Sequence, residues 1–137
     1  MRAEEYLEKI QDLDLKIADC EEQINKLKAV AEKRTSNLTP DKVQTGGVKD
    51  KIGDNVCSYV VIENRKKAYE EKRQEILDTI DILPAQESKV VYQYYVSDKY
   101  LYEIAGDMNK SYSWVTKKHR NGLLKIQKIL DERKARG

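Results

Sequence analysis

Eight residues near the C-terminal end of the chain have side chains suited to one kind of chemistry. Ser111, Ser113, Trp114, Thr116, Lys117, Lys118, Arg120 and Asn121 fall within about three turns of a helix expected over residues 112–130. Lys117, Lys118 and Arg120 can neutralise phosphates, and a lysine or a forked guanidinium also matches the paired acceptors of guanine. An asparagine side chain matches adenine, and a threonine or an aromatic ring can touch a thymine methyl. Carried on the first turns of one helix, such residues are what a recognition helix uses to reach base edges in the major groove of double-stranded DNA. Trp114 admits two placements, facing the groove or laid against the preceding helix.

A helix can present that surface only if its other side is held down. Val115, His119, Gly122 or Leu123, Ile126, and Ile129 or Leu130 supply the inward side. Before it, Leu101, Ile104, Ala105 and Met108 recur at i, i+3, i+4, i+7, which predicts a short helix over 99–108. Asn109 stands where the chain must turn, and asparagine tolerates a left-handed backbone. Ser111 or Ser113 can cap the helix that follows. Upstream, Pro84 suits a helix start, and Val90, Val91, Tyr94 and Tyr95 give that helix an apolar face. Ser97-Asp98 reads as its end and as the N-cap of the next helix. Helix, three-to-four-residue turn, helix is the helix-turn-helix geometry. The polar tail over 131–137 reads as a frayed end.

The same residues resemble region 4 of bacterial sigma factors. The shared features are Leu83-Pro84, Tyr95-Val96, Glu103-Ile104-Ala105, and Ser111 followed by Val115. The chain is more similar still to small phage and prophage proteins of Gram-positive bacteria, the ArpU- and RinA-type late transcription regulators and their relatives. There the opening MRAEEYLEKI, the DKVQTGG stretch and SYSWVTKKH carry the likeness. Asn109 departs from sigma region 4, which usually has glycine there. The resemblance covers most of the chain. It implies an all-α fold in which a long N-terminal helical hairpin or coiled-coil stalk (1–83) precedes a three-helix helix-turn-helix domain (84–137). It implies a sequence-specific DNA-binding transcriptional regulator, with RNA polymerase as a further partner.

The stalk is also legible without the resemblance. Ala3, Ile10, Ile17, Ile24 and Ala31 occupy one heptad position, and Tyr6, Leu13, Cys20, Leu27 and Arg34 the position three later. That is a coiled-coil seam over a helix of residues 2–34. A second helix over 50–82 carries an interrupted seam of Ile52, Val56, Tyr59, Ile62, Tyr69, Ile76 and Ile80, continued by Leu83, with a highly charged middle. The loop 35–49 contains Gly46-Gly47 beside Lys49. It lacks the spacing and the preceding strand of a phosphate-binding loop, so a hinge is expected. The two helices fold back on one another, pair with another chain, or do both. The expected arrangement is a hairpin that also forms a homodimer through Ile10, Leu13, Ile17, Cys20, Ile24 and Leu27.

Charge follows the same division. Residues 1–84 hold 15 Lys+Arg against 18 Asp+Glu, while residues 85–137 hold 11 against 6. A basic end on an acidic stalk is the outline of a phosphate-binding module. With no phenylalanine and 36% charged residues, the chain suits long solvated helices rather than a large core. Cys20 and Cys57 lie in helical segments and do not read as a disulfide framework. With no signal-like start and no long apolar run, the expected setting is the cytoplasm of a bacterial host, with no membrane partner. His119, the one histidine, lacks the companions of a metal site or a nucleophilic triad, so neither an enzyme nor a bound cofactor is expected. Two other readings compete with the regulator. One is the small DNA-recognition subunit of a phage packaging terminase, the other a coiled-coil scaffold with no DNA role.

Overall fold

A computed structural model gives the backbone of residues 1–36 and 46–137, with side chains for residues 1–32 and 59–137. Among the described residues there are five helices and no strands: α1 (Ala3–Ser36), α2 (Gly46–Asp81), α3 (Ala85–Tyr95), α4 (Leu101–Met108) and α5 (Tyr112–Arg136). The fold is all-α. Residues 37–45 of the expected loop, and the side chains of Arg34, Lys49, Ile52, Val56 and Cys57, lie outside the described residues. Gly46-Gly47, expected in a hinge, instead opens α2. Glycine is tolerated at a helix start, where it ranks among the accepted caps.

The chain divides into two compact units, Met1–Asp14 with Lys72–Gly137, and Leu15–Glu71. In the first, the opening turns of α1 supply Ala3, Tyr6, Leu7, Ile10 and Leu13, spaced so that all fall on one side and are buried. The end of α2 adds Ile76, Thr79 and Ile80. The two segments run antiparallel, since the Tyr6 hydroxyl meets Thr79 Oγ1 at 3.1 Å while Asp14 accepts from Arg73 Nε at 2.6 Å. α2 stops at Asp81, and Pro84 takes the N-cap of α3 with φ −52° and ψ 149°. Val90, Val91 and Tyr95 of α3, Ile104 and Ala105 of α4, and Val115 and Ile126 of α5 complete the core.

The start of α4 differs from expectation. Ser97-Asp98 is not its cap: Asp98 turns left-handed at φ 56°, Lys99 N–H returns to the Gln93 carbonyl at 3.1 Å, and Tyr100 becomes the N-cap. Glu103 secures that start by accepting from the Tyr100 N–H at 3.4 Å. The polar tail also differs. Rather than fraying after residue 130, α5 runs to Arg136, because Arg133 Nη1 donates to Thr79 Oγ1 at 2.9 Å and to the Tyr6 hydroxyl at 3.4 Å.

In the second unit, Cys20 and Ile24 are buried and Ile17 and Leu27 half-buried. Lys66 pairs with Glu21 at 3.4 Å, Lys28 sits over the Tyr59 ring and Lys16 over the Tyr69 ring. Rising numbers on α1 meet falling numbers on α2, so this pairing too is antiparallel and lies within one chain. Ile10, Leu13, Cys20 and Ile24, expected to recruit a second copy, are buried in the single chain, while Ile17 and Leu27 of the same seam keep part of their surface.

Candidate nucleic-acid interface

α5 is aimed by the turn before it. Asn109 adopts φ 54° and ψ 42°, the left-handed region expected of it, and Lys110 N–H closes the turn on the Ala105 carbonyl at 3.0 Å. Ser111 then caps α5, its Oγ accepting from the Trp114 N–H at 3.1 Å. The capping choice left open between Ser111 and Ser113 thus falls to Ser111, and Ser113 stays exposed on the first turn.

The inner side of α5 is held tightly. Val115 and Ile126 are fully buried. Gly122 lies where α5 crosses α3, and a Cβ built there would come within 2.8 Å of Val91 Cγ2. Any larger residue would force Val91 or the helix packing to give way. Between these points His119 shares a 3.2 Å hydrogen bond with the Tyr95 hydroxyl and packs on the Tyr94 and Tyr95 rings. Burial pushes the imidazole below its ordinary value, against a smaller opposing pull from Glu4. Burial likewise pushes the Tyr95 phenol well above its ordinary range, so it remains a hydroxyl. Further along, Lys125 donates both to Glu87 Oε1 and to Oε2, at 3.0 and 2.8 Å, and Glu87 is buried beside the start of α3.

The outer side is open. Ser111, Ser113, Lys117 and Arg120 are exposed, and Thr116, Lys118 and Asn121 are half-exposed. Among the described residues neither Lys117 nor Arg120 forms an ion pair, whereas Lys99 is tied to Asp107, Lys125 to Glu87, and Arg133 to Thr79 and Tyr6. The outer turns of α5 therefore carry cations that no described residue of the chain neutralises. Thr116 is less available than its type suggests, because its hydroxyl donates to the Tyr112 carbonyl at 2.8 Å. Trp114 takes the packed placement. It lies half-buried against Val90, Ile104, Ala105 and Val115, with Lys110 and Lys118 5.2 and 5.5 Å from its ring centre. Its ring thus steadies two ammonium groups by cation–π attraction.

Two anchors of this surface escape the sequence reading. Glu87 falls on the same helical face as Val90 and Val91, and a charge in that register is the signal that was available for its burial. Gln127 accepts from the Ala3 N–H at 2.7 Å and donates to the Met1 carbonyl at 3.1 Å, which ties α5 to the start of the chain. No motif marks that contact.

Among the described residues no three acidic, cysteine or histidine side chains are grouped to hold a metal ion, and no helix is long and apolar enough to cross a membrane. Compared with protein-family models, curated proteins and solved structures, the chain matches none.

Proposed function

We propose that this protein is a sequence-specific DNA-binding protein in which α4, the Asn109 turn and α5 act as a helix-turn-helix, with α5 entering the major groove. The observation that carries this is the division of α5: Lys117 and Arg120, with no ion-pair partner among the described residues, stand exposed on its outer turns, while Val115, Gly122 and Ile126 anchor its inner side. Lys110, Lys117 and Lys118 contact phosphates, and Arg120, Asn121 and Ser113 reach base edges. Trp114 stays packed and orients the lysines beside it. Regulation of transcription in a phage or prophage, a sigma-region-4-like character and an approach to RNA polymerase rest on the family resemblance alone.

The test is binding to random duplex and to phage late-promoter DNA across a salt series. The logarithm of affinity should fall linearly with the logarithm of salt, by about 0.9 for each phosphate neutralised. Lys117→Gln should shrink that slope by about one and weaken all sequences alike. Arg120→Gln should cost about 1–3 kcal/mol and relax discrimination at one position. Affinity indifferent to salt would refute the proposal.

A further inference from the structure

Away from the outer face of α5, a recess of about 420 Å³ opens where the first turns of α1 meet the end of α3 and the turn that follows it. Its size falls within the range of small-molecule sites, roughly 300–1,000 Å³. Tyr94, Tyr95 and Tyr100 line it together with the acidic residues Glu8 and Asp98; the Tyr100 ring stacks on Tyr102 and the Tyr95 ring on His119, which leaves each one further face. Among the described residues neither carboxylate has an ion-pair partner. The one cation of the lining, Lys99, is already committed to Asp107 at 2.8 Å, outside the recess. Gln11 is fixed as well, its Nε2 donating to the Tyr95 carbonyl at 2.6 Å, so that wall is rigid.

We propose that this recess binds one organic cation, an alkylammonium or a guanidinium, between the tyrosine rings and the carboxylates of Glu8 and Asp98. Ring faces attract cations through their negative quadrupole, and carboxylates add charge-assisted hydrogen bonds. A neutral or anionic guest gains neither and meets the field of the two carboxylates. Of the two, Glu8 also acts on the wall: after burial, Glu4 and Tyr94, it is the smallest of the causes that hold the Tyr95 phenol in its protonated form. The turn is suited to carrying Asp98, since aspartate is among the few side chains that accept its left-handed φ of 56°. The chemistry is shared by free polyamines and by an arginine or lysine side chain of a partner protein.

The experiment follows the ring signals of Tyr94, Tyr95 and Tyr100 by NMR in the full chain, titrated with N-acetyl-arginine methylamide, with spermidine, and with N-acetyl-citrulline methylamide as the uncharged isostere. Saturable shifts with the two cations and none with citrulline are expected. The double variant E8Q/D98N removes both charges while keeping a residue that tolerates the left-handed turn, and should weaken binding by roughly tenfold. Tighter binding of the arginine probe would assign the site to a partner's side chain, and tighter binding of spermidine to a free polyamine. Equal shifts with citrulline, no saturation with either cation, or unchanged affinity in a variant of unchanged unfolding midpoint would overturn the proposal.

Discussion

Gly122 shows how much one missing methyl group decides. Its backbone lies against Val91, and a Cβ at this position, 2.8 Å from the valine methyl, requires the stiff, β-branched Val91 side chain or α5 itself to shift. Gly122→Ala should therefore destabilise the protein by about 1–3 kcal/mol in urea unfolding, despite alanine's better helix propensity. His119 gives a pH signature. Its folded pKa is depressed by burial, so the unfolded chain binds the proton more readily. Stability should be complete above about pH 6.5, the ordinary histidine value, and decline as pH falls from there toward the lower folded value. Unfolding measured from pH 8 to 5 checks this, and His119→Gln should flatten that part of the profile. The inward register of both residues was legible in the helical spacing. The Tyr95 partner of His119 was not, because it comes from another helix. Glu87 was hidden for a different reason: a carboxylate is read as solvated until its lysine, thirty-eight positions away, is brought beside it.

Among the elements, α5 owes its starting point to two polar residues. Ser111→Ala removes the acceptor for the Trp114 N–H and should cost about 1 kcal/mol, measured by thermal or urea unfolding. If Trp114 loses its position too, its fluorescence should shift as Lys110 and Lys118 leave the ring. The three C-terminal helices and the Asn109 turn were legible because each has a short-range cause: an apolar stripe, a cap, a residue suited to positive φ. The start of α4 was misread for an equally local reason. Ser97-Asp98 has the composition of a cap, but the backbone bond from Lys99 to Gln93 extends the turn, and the Glu103 bond fixes the cap at Tyr100. Tyrosine is not a capping residue by type, so composition did not point to Tyr100.

For the molecule as a whole, the seam of α1 is the informative case. Its heptad spacing was plain, but a seam does not name its partner. Ile10 is fully buried within one chain, so Ile10→Ala should lower stability by about 2–4 kcal/mol without a change in solution mass. The unfolding midpoint should not move with protein concentration; a midpoint that rises with concentration would mean the seam is shared between copies. The division at Leu83-Pro84 was read from a proline and a change of charge. Met1–Asp14 nevertheless belongs to the same compact unit as α3, α4 and α5. No local pattern announces a contact such as Ala3 with Gln127, which depends on two segments more than a hundred residues apart.

That contact has a consequence for how the protein is made. On the ribosome the fourteen residues of Met1–Asp14 emerge well before α5 exists, so Ala3 and Tyr6 must wait for Gln127 and Arg133, still to be translated. The same dependence means that a fragment cut at residue 84 leaves behind the strip of α1 that roofs its core, and the excised C-terminal piece should be poorly soluble unless the two lengths of chain are supplied together.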